Sequence, residues 1–329
     1  MTDSALKDLL GCRGKFSTLE YLEIGIEALA GRPYNAFEIA PRLNRLRLTE
    51  GALGREFLGK WKFPWAQLTK FEIRLRVGHG GDELRETLLQ LQNVEELRVE
   101  TPVREYFAID KNAPVFQLAR LRRLDVSVDL AGIVDWFDTP LLEHLEINDY
   151  FDFANNLEIA KEAISSLIHR SSCRIHRLTL DHCGIKVIRM VLGVRALTAS
   201  VEELFINRGE SEILVIRDIP GFDERIYLPN LHVLRLKCCP LHATDEFVAA
   251  ISYLLEARGE ESELVASHDI APLRRIAIQF DSCSTWWCDH DIISSTTLPR
   301  NPLGKVLNWP SYVEVTIVES SERNLGFAG

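Results

Sequence analysis

Several things are missing from this chain of 329 residues, and each absence removes a class of function. The N-terminus, MTDSALKDLLGCRGK, lacks a basic start followed by an apolar run, which argues against a secretory leader. No stretch reaches the roughly 18 consecutive apolar residues of a membrane span. There is no N-x-S/T acceptor for glycosylation. Cysteines number seven, an odd count scattered without a framework, which suits a reducing compartment and predicts cytoplasm or nucleus. No run of Lys and Arg is present, and the formal charge is −10. Phosphate binding depends on clustered basic side chains, so a nucleic-acid partner is not expected. G-x-S-x-G, H-E-x-x-H and a glycine-rich phosphate loop are all missing, so neither catalysis nor a cofactor is predicted.

What is present is periodic. The stretch IHRLTLDHCGI places Ile175, Leu178, Leu180, Cys183 and Ile185 in the pattern I-x-x-L-x-L-x-x-C-x-I. LHVLRLKCCPL repeats it with Leu231, Leu234, Leu236, Cys239 and Leu241. The core triplet recurs as LEYLEI (Leu19, Leu22, Ile24), LNRLRL (Leu43, Leu46, Leu48), LTKFEI (Leu68, Phe71, Ile73) and VEELRV (Val94, Leu97, Val99). It continues as LRRLDV (Leu121, Leu124, Val126), LEHLEI (Leu142, Leu145, Ile147), VEELFI (Val201, Leu204, Ile206) and LRRIAI (Leu273, Ile276, Ile278). Ten copies at spacings of 24, 25, 26, 27, 21, 33, 26, 30 and 42 residues carry the signature of leucine-rich repeats.

In each unit the apolar positions alternate over a short strand, while Leu84/Leu88/Leu91, Ala160/Ile164/Leu167 and Phe247/Ile251/Leu255 share faces at helical spacing. A helix start is expected at Thr244-Asp245-Glu246. The expected fold is α/β: one leucine-rich-repeat solenoid over residues 1–329, with a curved parallel sheet on its concave side and helices and coil on its convex side. About ten repeats fill 16–280, residues 257–270 read as a surface loop, 281–311 as loop, and 312–329 as a C-terminal cap and tail, YVEVTIVE being an end strand.

Cys183 and Cys239 fall two residues past the strand, where a small side chain turns inward and satisfies backbone groups of the turn. The alternative, a metal site, has its best candidate in Cys283-x4-Cys288-x-His290, with Cys238, Cys239 and His242 as companions, but the spacing is loose and the matched second pair of a zinc site is not evident. No metal is therefore expected. Trp286-Trp287 either pins that loop or anchors a partner.

Solvent-facing strand positions form two columns. The residue between the second and third anchors runs Glu23, Arg47, Glu72, Arg98, Asp125, a ladder of alternating charge that would help set repeat register. The residue before the second anchor runs Tyr21, Arg45, Lys70, Glu96, Arg123, His144, Arg177. With Arg47, Arg74 and Arg98 this is a locally basic strip on the concave face. It is expected either to be merely solvated or to receive an acidic or phosphorylated segment of a protein partner, since the Arg fork matches carboxylate and phosphate.

Longer phrases go further. FPWAQLTKFEI (63–73), LLQLQNVEELRVETP (88–102), LARLRRLDVSV (118–128), PLLEHLEI (140–147), SSLIHRSSCRIHRLTL (165–180) and LPNLHVLRLKCC (228–239) resemble, in order, lines of the F-box/leucine-rich-repeat proteins of mushroom-forming fungi. SSLIHRSSC is the most specific. The resemblance covers about 16–280 and implies substrate recognition for a cullin-type ubiquitin ligase, the F-box docking the Skp adaptor and the repeats holding the target. Residues 1–24 match no F-box, which would precede residue 1, so the adaptor is an expected partner only if an upstream F-box exists. The expectation is an intracellular, non-enzymatic, monomeric protein-binding scaffold. The alternatives are a free-standing repeat protein without a ligase link and, more remotely, a metal enzyme built on the Cys283–His290 loop.

Overall fold

The computed structural model describes residues 11–26, 34–50, 58–75, 81–100, 114–149, 157–207, 228–238, 245–259, 270–280 and 314–319, together with Ser262, Val265 and Ala266. The fold is mixed α/β and divides into two compact units, Met1–Ile175 and His176–Gly329. In the first, a parallel sheet is built from β1 (Tyr21–Ile26), β2 (Arg45–Glu50), β3 (Lys70–Arg74), β4 (Glu96–Glu100), β6 (Arg123–Ser127) and β8 (His144–Asn148). β5 (Phe116–Gln117) and β7 (Phe137–Asp138) form a separate parallel pair. Helices α1 (Gly81–Leu89) and α2 (Leu157–Ser171) complete the unit, with 3-10 turns at Leu58–Lys60, Trp65–Gln67 and Val128–Trp136. The second unit holds a parallel sheet of β9 (Arg177–Asp181), β10 (Glu203–Asn207), β11 (Val233–Cys238), β12 (Arg275–Phe280) and β13 (Glu314–Glu319), with α3 (Ile185–Leu192), α4 (Arg195–Thr198) and α5 (Asp245–Ala257).

All ten apolar triplets lead into or lie in a sheet strand, and β13 occupies the end position read from YVEVTIVE. The register matches equivalent positions throughout. Leu22, Leu46, Phe71, Leu97, Leu124 and Leu145 are successive Cα partners in the first unit. Leu178, Leu204, Leu234, Ile276 and Val315 are in the second. From Leu43 to Ile278 every described anchor is buried, most of them completely. Each buried aliphatic side chain contributes about 1.5–3 kcal/mol of transfer free energy. Because side chains alternate with period two, a one-residue slip would turn this apolar stripe to the opposite face.

A backbone latch joins consecutive strands. The carbonyl of the residue after each first anchor accepts two N–H groups of the next strand's entry: Glu20 from Asn44 and Arg45, Asn44 from Thr69 and Lys70, Thr69 from Glu95 and Glu96, Glu95 from Arg122 and Arg123. In the second unit His176, Glu202 and His232 do the same. Side chains of the turns add to it: Gln67 Nε2 donates to the Ala40 and Leu43 carbonyls, and Asn93 Nδ2 to that of Ala66, all at 2.7 Å. An aromatic chain of Phe37, Trp61, Phe63, Trp65 and Phe71 fills the early part of the first unit.

The helical faces Leu84/Leu88, Ala160/Ile164/Leu167 and Phe247/Ile251/Leu255 are buried as their spacing requires. Residues 257–270 depart from the expected surface loop at their start. Arg258 is 2% exposed, and its guanidinium donates to the carbonyls of Leu228 (2.8 Å) and Leu231 (3.3 Å). Arg170, at the end of α2, similarly donates to the carbonyls of Val134 (2.8 Å) and Phe137 (2.9 Å). A cation at a helix C-terminus reads in sequence as solvated, but here it hooks the loop of the previous repeat. The loop expected at 281–311 and the tail after 319 lie outside the described residues. No described helix is long and apolar enough to cross a membrane.

Truncating Arg258 leaves two buried carbonyls without their donor and a void in a packed site. Arg258→Ala should lower unfolding free energy by about 2–4 kcal/mol, read as a fall in the urea midpoint. A midpoint within error of the parent chain would show that the hook is dispensable.

Candidate binding surface

In the first unit, residues alternating with the anchors share the sheet face opposite the core. Tyr21 is half exposed, and its hydroxyl donates to Glu23 Oε2 at 2.6 Å, an interaction that raises its pKa. Arg47 lies 3.5 Å from both Glu23 and Glu72. Lys70 Nζ sits 3.1 Å from Glu72 and from Glu96. Burial works against its ammonium, but the hydrogen bonds to Glu96 and Glu72 outweigh it and leave the pKa raised. Arg98 pairs with Glu100 and, at 2.9 Å, with Asp125. Arg123 donates to Glu146 Oε2 at 2.6 Å. His144 is half-buried, in register with Arg123. Most of the basic strip is thus spent on carboxylates of its own or the adjacent strand, as a charge ladder would have it. Arg45 and Arg74 are exposed, and their side chains make no ion pair or hydrogen bond among the described residues.

The open face is not solvated along its whole length, which corrects the expectation that its carboxylates face water. On β6 and β8 both faces are buried: Asp125 is 2% exposed, and Glu146, Ser127 and Asn148 are buried with it. Together with Glu100 this makes three buried carboxylates against the two guanidiniums of Arg98 and Arg123. Asn148 Nδ2 donates to Asp125 Oδ1 at 2.8 Å. Arg98 Nε, although 2.9 Å from Asp125 Oδ2, donates to Glu100 Oε1 at 2.6 Å and leaves that oxygen without a hydrogen bond. Burial, then the neighbouring charges of Glu146 and Glu100, push Asp125 up to about 7, against the pull of Arg98 and Asn148. Strand alternation identifies the face but not what covers it, so sequence alone could not single out this cluster.

In the second unit Arg177 Nε donates to Glu203 Oε2 at 2.9 Å, and Arg235 approaches the same oxygen at 3.7 Å. Asn207 donates to Asp181. Cys183 is 1% exposed, its thiol donating to the Asp181 carbonyl at 3.5 Å, just past His182, which has a φ of +54°. His176 Nδ1 lies 3.1 Å from Glu202 Oε1. Burial pushes the Cys173 thiol up to about 11, so it is not a nucleophile at neutral pH. Cys239, His242, Trp286, Trp287 and the Cys283–Cys288–His290 group lie outside the described residues, as does the side chain of Cys238. Among the described residues no three His, Cys, Asp or Glu side chains are placed to hold a metal ion.

Asp125 titrates near 3.8 when unfolded and near 7 when folded, so the folded chain binds the extra proton between these values. Stability from this group is therefore present at acid pH and lost as pH rises toward 7. Asp125→Asn, which keeps an acceptor for Asn148, should be more stable than the parent near pH 8. Its advantage should shrink toward about pH 5, read from urea midpoints of both proteins. Parallel pH profiles would contradict this. No protein-family model matches the chain, and no curated protein matches it.

Proposed function

We propose that the chain is a leucine-rich-repeat solenoid whose role is to hold another protein, like the target-recognising part of an F-box/leucine-rich-repeat receptor of a ubiquitin ligase. The observation that carries this reading is the register. Within each unit the triplets, at roughly one-turn spacing, place equivalent residues side by side in parallel strands, and most strand entries are latched to a carbonyl of the strand before. Such stacking produces a broad, regular sheet face, which is the geometry of a docking surface. The resemblance of SSLIHRSSC and its neighbouring phrases adds the ligase link. A reducing compartment, cytoplasm or nucleus, is the setting this reading takes, supported by an odd count of seven scattered cysteines.

Affinity purification of the tagged chain from its own cells, with mass spectrometry, tests both halves. Co-purification of a Skp-type adaptor and a cullin is the expected result for the ligase reading. Defined partners without either would leave a free-standing binding protein. No protein enriched over a mock purification would overturn the scaffold reading itself.

A further inference from the structure

The charge on the open face of the first unit is unevenly distributed. On β1 to β3 the cations Arg45, Arg47, Lys70 and Arg74 stand with Glu23 and Glu72, a net of +2, while at the edge of this group Lys70 also reaches Glu96 and Arg74 is in register with Glu100 of β4. On β4, β6 and β8 the balance reverses, Arg98 and Arg123 standing against Glu96, Glu100, Asp125 and Glu146, a net of −2 with His144 left out of the count. The positive end is also the accessible one. Arg45 and Arg74 are exposed, Arg47 is about half exposed with its ion pairs at 3.5 Å, and Tyr21 beside Arg45 is 50% exposed. The negative end is buried at Asp125 and Glu146. A protein of charge −10 that keeps two arginine side chains unpaired among the described residues on one sheet face presents a local site for anions.

We infer that the open face of β1 to β3 docks an acidic peptide segment of the partner protein, with Arg45 and Arg74 as its two free anchors. This rests on the scaffold reading and names the chemistry of what is held. The spacing selects the occupant. Arg45 is the register partner of Lys70 and Arg74 that of Thr49, so the anchors stand four positions apart along the strands, about 13 Å. Donors so separated cannot converge on one phosphate, but they match successive carboxylates on an extended segment of about four or five residues. The cations between them, Arg47 and Lys70, are already shared with Glu23, Glu72 and Glu96 and supply positive field more than free donors.

The test is fluorescence anisotropy of a labelled Glu/Gly peptide of about eight residues with the full chain. The salt is kept near 0.05 M, so that exposed charges are little screened. The chain should bind the peptide and release it as salt rises, and should not bind a Lys/Gly peptide of the same length. Arg45→Glu/Arg74→Glu should weaken binding about tenfold, and Arg45→Gln/Arg74→Gln about threefold, with the circular dichroism and melting of both unchanged. The control Arg120→Glu/Lys186→Glu, which makes the same charge change at exposed residues off the sheet, should stay within about twofold. Equal loss in the control, no loss in the double reversal, or no binding by the parent chain would each overturn the inference. If the double reversal loses the peptide-binding phenotype in none of these assays yet still purifies the parent's partners from cells, the scaffold reading stands and this surface is wrong. If the parent purifies no partners, it is the scaffold reading that fails.

Discussion

Everything in this molecule depends on the lateral alignment of one short strand with the next. The anchors of a single repeat cannot form a core; they become one only when the next repeat places its own anchors alongside. Parallel pairing does this at fixed register, and a one-residue error would turn the whole stripe outward. The bifurcated carbonyls of Glu20, Asn44, Thr69 and Glu95 fix that register at the point where each strand begins. Because the latch is backbone to backbone, it tolerates any side chain at those positions, which is why they vary from Glu to Asn to Thr.

The same alignment determines the chemistry of the opposite face. In-register strands bring side chains of equal rank within reach of each other, so a charge placed on one repeat must be answered by its neighbours. Glu23, Arg47 and Glu72 answer one another along the early strands, and Arg177, Glu203 and Arg235 do so in the second unit. Where the balance is incomplete the result depends on burial. Arg45 and Arg74 remain exposed, their side chains without an ion pair among the described residues. Asp125, enclosed with Glu100 and Glu146, has no such outlet and is driven toward protonation.

The strands, their order and their inward residues were legible in the sequence because apolar periodicity is a direct image of burial on one face. So were the helices at Leu84/Leu88, Ala160/Ile164 and Phe247/Ile251. The pairing of Arg47 with Glu23 and Glu72 and of Arg98 with Asp125 was legible as a ladder, but that of Lys70, Arg123 and Arg177 with carboxylates was not, since it depends on side-chain reach across strands. The burial of Asp125, Glu146 and Asn148 was hidden because a strand pattern says nothing of what lies over its polar face. Arg258 was hidden for a related reason: composition marks a helix-end arginine as solvated, and only the position of the Leu228 and Leu231 carbonyls reveals its use.

The central claim is the register, and paired cysteines on β2 and β3 test it most directly. Arg47 and Glu72 are Cα partners on the open face, and such a neighbour pair lies within the roughly 4.4–6.8 Å that a disulfide bridges. Arg47 and Arg74 are offset by two residues and stand farther apart. On mild oxidation, with cross-links read by peptide mass spectrometry, Arg47→Cys/Glu72→Cys should close and Arg47→Cys/Arg74→Cys should not. Closure of the offset pair in preference to the matched one would contradict the register and, with it, the account of both faces.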